Sequence, residues 1–246
     1  MRRPFPIALL GVCLATAGCG SDGDDAKKDT SAAVPAPQTT TEGGCKDVKA
    51  PKKKPEGTEQ RPSGPLASDK TYSVKLETTC GDFAIGVDQE AAPQAAASLV
   101  LLARNGFFDR TVFHRIVPGF VIQGGDPTAS GMGGPGYSTR DVPPPDARYT
   151  RGVVAMAKTA QEPAGTAGSQ FYVVTGADAG LPPEYAVLGK VTAGMATVER
   201  IGKLGDPNSG EAGTPSQPVV IERATVTAAK APSKSKKKKR KAANEG

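Results

Sequence analysis

The amino-acid sequence predicts a mainly β fold, a closed antiparallel barrel capped by two helices. Short apolar runs recur over residues 70–228, and glycine or proline separates most of them. Only two segments in this range space their apolar residues as a helix does. Closing many short strands into a barrel removes the exposed edges of the sheet, and we therefore take residues 70–228 as one barrel domain.

The first two strands are predicted from alternation on either side of a turn. Apolar side chains occupy every second position over residues 72–76 and again over 83–87, as expected of strands with one buried face. Gly81 lies between the two runs, and glycine suits a tight turn. We therefore expect a hairpin that turns near Cys80.

Two helices are expected, separated by further strands. Pro93 opens a segment whose apolar residues follow helical spacing as far as Ala103, and Gly106 is placed to end it. A second helix is expected over residues 195–201. The remaining strands are expected near residues 111–117, 119–124, 152–157, 170–174, 185–191 and 218–226.

Residues 1–18 have the layout of an export signal, in which Arg2 and Arg3 precede an apolar run and small residues lead to Cys19. The apolar run is too short to span a bilayer as a permanent helix. The stretch LATAGCGSD resembles a bacterial lipoprotein signal, although Thr16 stands where that family prefers leucine. The resemblance implies lipidation of Cys19 and an extracytoplasmic location, anchored to the outer face of the bacterial cell membrane. A secreted protein and an uncleaved anchor are the alternatives.

Residues 19–69 are predicted to be a disordered tether. They are rich in Asp, Lys, Thr, Pro and Gly and contain almost no large apolar side chain. Such a segment cannot bury enough apolar surface to offset the entropy of ordering it.

Cys45 and Cys80 are candidates for a disulfide. Cys13 would leave with the export signal and Cys19 would carry the lipid, so these two cysteines remain as a pair. An oxidising compartment favours their bonding, which would pin the tether to the domain. Two free thiols are the alternative.

Residues 229–246 are predicted to be a basic disordered tail. Residues 230–246 hold eight positive charges and one negative, a net +7, so the formal +6 of the whole chain becomes −1 without them. A nucleic-acid-binding domain should itself be basic, and this balance therefore argues against nucleic acid as a partner. The tail is expected either to stay solvated or to attract anionic lipids and polymers of the cell envelope.

The stretch FHRIVPGFVIQGGDP, residues 113–127, contains His114, the only histidine of the chain, beside Arg115. It is followed in order by GVVAMAK, GSQFYV and YAVLGKV. This ordered set resembles the cyclophilin family of peptidyl-prolyl cis-trans isomerases over residues 70–228. The resemblance implies an eight-stranded barrel with two helices that accelerates Xaa-Pro rotation in exported polypeptides. A monomer that uses neither cofactor nor metal is expected.

The implied reaction makes and breaks no covalent bond. Rotation about a peptide bond has a barrier of about 18–20 kcal/mol because conjugation is lost. Twisting returns the lone pair to the proline nitrogen, so a fixed guanidinium can donate a hydrogen bond that exists only in the transition state. Arg115 is the candidate donor, and it occupies the position to which the family assigns this role.

The resemblance implies further site residues. Gln123 matches the glutamine that holds the substrate backbone, and Lys158 lies where the family grips the peptide through its own backbone. His114 and Gln170 match polar positions at the edge of the pocket. The apolar proline pocket is expected to be lined by Phe120, Val121, Tyr172 and Leu181, with Tyr185 beside them.

Two positions depart from well-known members of the family. Gly180 and Tyr185 align with a tryptophan and a histidine, and this chain contains no tryptophan. By resemblance the tryptophan matters for binding cyclosporin, so weak sensitivity to that drug is expected. A non-catalytic chaperone or scaffold that binds proline-containing segments on the same barrel is the alternative function.

Other interpretations have less support. A hydrolase could use His114 as base for Ser169 or Ser138, but the sequence has no nucleophile-elbow motif. One histidine and a cysteine pair leave only scattered carboxylates for a metal, without ligand spacing. The run GMGGPG, residues 131–136, matches GxGxxG, yet the following YSTRDVPPP cannot start the helix that a dinucleotide site requires.

Overall fold

The structure, a computed structural model, describes residues 44–232 of the chain. This part of the chain contains eleven strands, two α-helices and one 3-10 helix. The helices are α1 (Pro93–Arg104) and α2 (Met195–Gly202), and the 3-10 helix is Pro207–Ala212. The strands are β1 (Lys70–Thr78), β2 (Gly81–Val87), β3 (Thr111–Val112), β4 (Arg115–Val117), β5 (Val121–Gly124), β6 (Thr139–Arg140), β7 (Val153–Met156), β8 (Thr166–Ala167), β9 (Phe171–Val174), β10 (Val187–Ala193) and β11 (Val220–Lys230).

Strands β1 and β2 form the predicted hairpin. They pair antiparallel from Tyr72 opposite Val87 to Thr78 opposite Gly81. Gly81 has a φ of +109°, which a residue without a Cβ adopts at little cost. The Thr78 hydroxyl donates to the Gly81 carbonyl at 2.6 Å and closes the turn. Alternate residues of both strands are buried, as the sequence pattern predicted.

The main sheet closes on itself through a short segment of chain. Its strand order is β3-β11-β1-β2-β10-β7-β9-β5-β4. The edge strands β3 and β4 are consecutive in the chain, and only Phe113 and His114 separate them. One half of this segment pairs with β11 and the other with β5. Counting β3 and β4 as one interrupted strand gives the eight strands predicted for the barrel, while β6 and β8 form a separate ribbon.

The main hydrophobic core lies inside the curled sheet. The Phe171 ring packs edge-to-face against Phe108 and Phe113, with centroids 5.8 and 6.3 Å apart. Ile116 of β4 and Ile122 of β5 belong to the same core. Because side chains alternate along a strand, the residues on either side of these isoleucines face outward.

The two predicted helices are present and pack against different strands. Helix α1 contacts β1 and β11, and α2 contacts β2, β4 and β5. Pro93 is the first residue of α1, where a missing N–H is of no consequence. The Asp141 carboxylate accepts hydrogen bonds from the next two amides, Gln94 at 3.3 Å and Ala95 at 2.7 Å. A distant residue thus satisfies amide groups that the helix itself leaves unpaired.

Residues 44–69, which we call the strap, lie along the barrel and are not the free tether that the sequence predicted. A disulfide joins Cys45 to Cys80, and both residues are buried. The Lys46 amide donates to the Thr79 carbonyl at 2.7 Å. The strap contains few apolar side chains, which led to the prediction of disorder. Backbone hydrogen bonds and a disulfide help to hold it on the barrel.

Several predictions fall on residues 1–43 and 233–246, outside the described range: the export signal, Cys19, part of the tether and most of the basic tail. At the other boundary, β11 continues to Lys230, so the domain extends slightly beyond its predicted end at residue 228. Within residues 44–232, none of the helices combines the length and the apolar character needed to cross a bilayer.

Candidate functional site

A row of outward-facing residues crosses the neighbouring strands β4, β5, β9 and β7. Arg115 lies opposite Gln123, and Gln123 lies opposite Tyr172. Tyr172 in turn lies opposite Ala155. Directly opposed residues have Cβ atoms about 4.5–5.5 Å apart. The register therefore brings a guanidinium, an amide and an aromatic ring together from strands that are far apart in the sequence.

A cavity of about 600 Å³ lies over this row. Its apolar floor belongs to a second, smaller cluster of buried residues that includes Val121, Tyr172 and Val174. A mainly apolar cavity with a few polar groups at its edge is the usual form of a small-ligand site. The residues that line it are Arg115, Val117, Phe120, Val121, Gln123, Ala157, Lys158, Tyr172, Leu181, Tyr185 and Glu211.

The Arg115 guanidinium is fixed on three sides at the edge of this cavity. Its Nε donates to the Glu211 carbonyl at 2.9 Å, and its Nη1 donates to Gln123 Oε1 at 3.4 Å. Its Cζ lies 5.8 Å from the centre of the Phe120 ring. Burial lowers the pKa of the guanidinium, and the Glu211 charge partly offsets this. An arginine remains charged at neutral pH, so Arg115 is an oriented cationic donor.

Tyr172 and Tyr185 form one wall of the cavity, and Tyr149 packs behind them. The Tyr149, Tyr172 and Tyr185 rings pack on one another with centroids 5.7–6.3 Å apart. The Tyr149 hydroxyl donates to the Tyr185 carbonyl and accepts from the Tyr185 amide, at 2.8 and 2.9 Å. Burial raises the pKa of Tyr172, whose hydroxyl has no hydrogen-bond partner among the described residues. Tyr172 therefore presents a neutral ring to the cavity.

Lys158 lines the cavity, but its amine is engaged elsewhere. Its side chain is 2% exposed and forms an ion pair with Glu184 at 2.9 Å. The amine also donates to the carbonyls of Thr159 and Glu162, each at 3.2 Å, and lies 5.4 Å from the centre of the Tyr185 ring. The side chain therefore holds the loop after β7 in place.

Gln170 lies in a second cavity, of about 620 Å³, that adjoins the first. The two cavities share Gln123, Ala157 and Lys158 as lining residues. Gln170 Oε1 accepts from Gln123 Nε2 at 3.0 Å, and Gln170 Nε2 donates to the Gly133 carbonyl at 3.0 Å. The predicted edge position of Gln170 thus lies between the proline cavity and the glycine-rich loop.

His114 is not among the residues that line the proline cavity. It lines a different cavity of about 290 Å³, together with Ala50 and Pro218. Neither ring nitrogen makes a hydrogen bond of ordinary geometry within the described residues. Burial lowers the pKa of His114, and the Asp126 charge only partly offsets this. The ring is thus a half-buried neutral neighbour of Arg115 that lies outside the cavity over Arg115.

The alternative chemistries find no support in the described residues. The Ser169 hydroxyl is buried and donates to the Gly125 carbonyl at 2.7 Å, so it is engaged as a structural donor. The glycine-rich run of residues 131–136 is followed by β6 and by no helix. Within residues 44–232, no group of three or more His, Cys, Asp or Glu side chains could hold a metal ion.

Sequence reasoning missed three residues that line the proline cavity: Val117, Ala157 and Glu211. Val117 and Ala157 flank predicted site residues, and the strand alternation could have found Val117. Glu211 comes from the 3-10 helix and contributes a backbone carbonyl to Arg115. No side-chain pattern signals a carbonyl contact of this kind.

The geometry defines a class of protein before any comparison is made. An apolar cavity on the outside of a β-barrel can hold a small apolar side chain, while Arg115 and Gln123 can bond to the backbone next to it. The arrangement supplies a cationic donor rather than a nucleophile. It therefore fits a site that binds a peptide and changes the conformation of that peptide without covalent chemistry.

Comparison with known proteins identifies the family. Residues 73–226 match the family model described as cyclophilin type peptidyl-prolyl cis-trans isomerase/CLD. Peptidyl-prolyl cis-trans isomerase-like 1 of Gibberella zeae is 34% identical over 160 residues, which cover 63% of this chain and 95% of that relative. Peptidyl-prolyl cis-trans isomerase A of Mycobacterium tuberculosis is 34% identical over 183 residues, covering 67% and 96%.

A solved structure gives the same result. The cyclophilin type isomerase of Cryptosporidium parvum, crystallised in the presence of the dipeptide Ala-Pro, superposes with a TM-score of 0.57 at 29% identity. The match covers 63% of this chain and 98% of that one. The chain therefore belongs to the cyclophilin-type peptidyl-prolyl cis-trans isomerases, and its activity is the cis-trans isomerisation of Xaa-Pro bonds.

Proposed function

We propose that this isomerase accelerates Xaa-Pro rotation in exported polypeptides, with Arg115 as the transition-state donor. The observation that carries the proposal is the fixed guanidinium at the edge of an apolar cavity. A neighbour of the same family was crystallised in the presence of Ala-Pro, which supports placing the substrate proline in the corresponding cavity here.

The residues that line the cavity have three kinds of role in this mechanism: packing on the proline ring, holding the backbone and donating to the twisted nitrogen. The proline ring packs against Phe120, Val121 and Leu181, with the tyrosine wall beside it. Gln123 holds the substrate backbone. As the amide twists, its nitrogen gains a lone pair, and Arg115 donates a hydrogen bond to it. The planar cis and trans forms lack this acceptor, so the interaction lowers the barrier without stabilising the ground state.

The orientation of Arg115 contributes to catalysis as much as its charge does. The Glu211 carbonyl and Gln123 hold the guanidinium before the substrate arrives. A donor that is already oriented needs no reorganisation when the amide twists. A flexible cation at the same place would lose conformational entropy with each turnover.

Removing the donor is the direct test of this mechanism. Arg115→Ala in the full chain is expected to lower the rate constant for a short proline peptide by about a hundredfold to a thousandfold, the usual cost of deleting a transition-state donor. The cis-to-trans rate is measured beside peptide affinity and thermal unfolding. Arg148→Ala is the control, because that arginine is 75% exposed and pairs only with Asp178 among the described ion pairs.

The comparison has a clear contrary outcome. If Arg115→Ala were as fast as Arg148→Ala, with both variants folded, the guanidinium would have no part in the reaction. A wild-type chain that bound the peptide without accelerating its rotation would favour the chaperone or scaffold function instead.

The substrates and the location are also part of the proposal. An export signal over residues 1–18 and a lipid on Cys19 would hold the domain at the outer face of the membrane. Polypeptides that emerge there unfolded present Xaa-Pro bonds whose uncatalysed isomerisation takes tens to hundreds of seconds. The disulfide between Cys45 and Cys80 supports an oxidising compartment.

A further inference from the structure

The strap makes a regular set of backbone contacts with the part of the barrel beside the active site. The Gly57 amide donates to the Gly134 carbonyl, and the Glu59 amide donates to the Pro135 carbonyl, each at 2.9 Å. Upstream, the Lys54 amide donates to the Pro127 carbonyl at 2.9 Å. Residues 54–59 therefore bind along the loop that runs from β5 to β6.

This loop fixes only part of its own conformation. Four of its residues over 131–136 are glycine, which loses more conformational freedom on ordering than any other residue. The Asp126 carboxylate anchors the first half of the loop, since it accepts from the amides of Gly131 and Gly133 at 2.6 and 3.2 Å. The strap anchors the second half. A Cβ at Gly136 would lie 2.5 Å from the Gly57 carbonyl oxygen, so the two backbones approach closely there.

A chain of hydrogen bonds leads from the loop to the reacting centre. The Gly133 carbonyl accepts from Gln170 Nε2 at 3.0 Å, and Gln170 Oε1 accepts from Gln123 Nε2 at 3.0 Å. Gln123 Oε1 accepts from Arg115 Nη1 at 3.4 Å. A shift of the loop would therefore move Gln170 and Gln123, and with them one of the contacts that orient the guanidinium.

We propose that strap residues 54–59 are a positioning element for catalysis, which sets the glycine-rich loop and, through Gln170 and Gln123, the orientation of Arg115. This inference rests on the proposed role of Arg115. The strap precedes the segment, residues 73–226, that matches the family. It therefore adds to the catalytic domain a supporting layer that lies outside the cavity over Arg115, although Glu56 lines the adjoining cavity.

Two strap glycines give a matched pair of substitutions. A Cβ at Gly57 would lie 2.8 Å from Phe107 Cε2 and 3.0 Å from the Gly134 carbonyl oxygen. A Cβ at Gly64 would have no neighbour within 4 Å. Alanine at Gly57 should displace the strap from the loop, and valine should displace it further. The same substitutions at Gly64 add the same side chains without a contact to disturb.

The predicted effect is on turnover rather than on binding. In the full chain, Gly57→Val should lower kcat about tenfold relative to Gly64→Val, because a donor displaced by a fraction of an ångström is a poorer match to the twisted amide. Gly57→Ala should fall between wild type and Gly57→Val. The Michaelis constant should rise by a smaller factor than kcat falls, since Gln123 also holds the substrate backbone, whereas the Arg115 bond is made only in the transition state. Thermal unfolding of each variant is measured alongside.

A double-mutant cycle separates positioning from general damage. If the strap acts through Gln170, Gly57→Val should cost less than about twofold in a Gln170→Ala chain, where the connection is already broken. An equal loss in both backgrounds, or equal rates for Gly57→Val and Gly64→Val, would overturn the inference while wild type and Arg115→Ala still differed. If wild type and Arg115→Ala did not differ, the proposed function would fail and the strap inference with it.

Discussion

His114 lies next to the proposed donor in the sequence, yet its environment is different. The ring is half-buried, and burial lowers the pKa of His114 below its ordinary value. The Asp126 charge raises this pKa, and the Arg115 charge lowers it. The unfolded chain has a histidine pKa of about 6.5. Between that value and the lower pKa of the folded state, the unfolded chain binds more protons. The free energy of unfolding should therefore fall as pH drops through this window.

The single histidine allows this pH dependence to be tested without interference. In His114→Phe the decrease just below pH 6.5 should disappear, because no other histidine is present to titrate. The decrease at more acid pH should remain, because the folded state also lowers the pKa of Asp126. Urea unfolding at closely spaced pH values measures the slope, and the shift of the imidazole NMR signals gives the pKa directly. Identical slopes for wild type and variant would mean that His114 titrates alike in both states.

Individual site residues were predictable to the extent that side chains determine them. Arg115, Gln123 and Phe120 line the proline cavity as predicted, since ordered motifs mark them. His114 lines a different cavity from Arg115, because a motif gives adjacency along the chain but not the side of the sheet on which a ring packs. Glu211 was missed, since it contributes through its backbone carbonyl.

At the scale of elements, alternation and punctuation were sufficient for the hairpin of β1 and β2 and for both helices. They were insufficient for the strap. The contacts that hold residues 44–69 are largely backbone hydrogen bonds, one disulfide and single polar side chains such as Lys46 and Lys54, which leave little trace in composition. The break between β3 and β4 at Phe113 and His114 was also not predicted, because a single apolar run covers both halves.

The disulfide should stabilise the strap and the barrel together. It closes a loop with a sequence separation of 35 between Cys45 and Cys80, and in the chain-entropy model a loop of that size contributes about 3–4 kcal/mol. Cys45→Ala/Cys80→Ala is expected to lower the free energy of unfolding by about this amount. Urea unfolding with and without reductant is the measurement.

Reductant provides the internal control for this prediction. Wild type should lose stability when reduced, whereas the double variant should not respond. After reduction, limited proteolysis should cut within residues 44–69 first, because the strap has then lost its covalent link to the barrel. A wild-type midpoint that did not change on reduction would show that the bond contributes nothing to stability.

At the scale of the whole molecule, the basic tail and the proposed lipid site at Cys19 lie in different segments of the sequence from the catalytic domain. The tail of residues 230–246 carries a net +7, while the rest of the chain carries −1. The tail therefore carries most of the excess positive charge, and attraction to an anionic surface is expected chiefly from it. A lipid chain together with a basic segment is the kind of double signal that gives stable membrane attachment.

Attachment can be tested in the full chain, expressed in a bacterium that exports lipoproteins. Wild type should fractionate with membranes and need detergent for release. Cys19→Ser removes the acceptor thiol and should release the protein or leave it held only by charge. In that variant, deleting residues 230–246 should abolish the remaining salt-sensitive attachment, because exposed charges are screened beyond about 10 Å at 0.1 M salt. If Cys19→Ser still required detergent, an uncleaved signal helix would be the anchor, since neither a lipid nor the tail could account for that result.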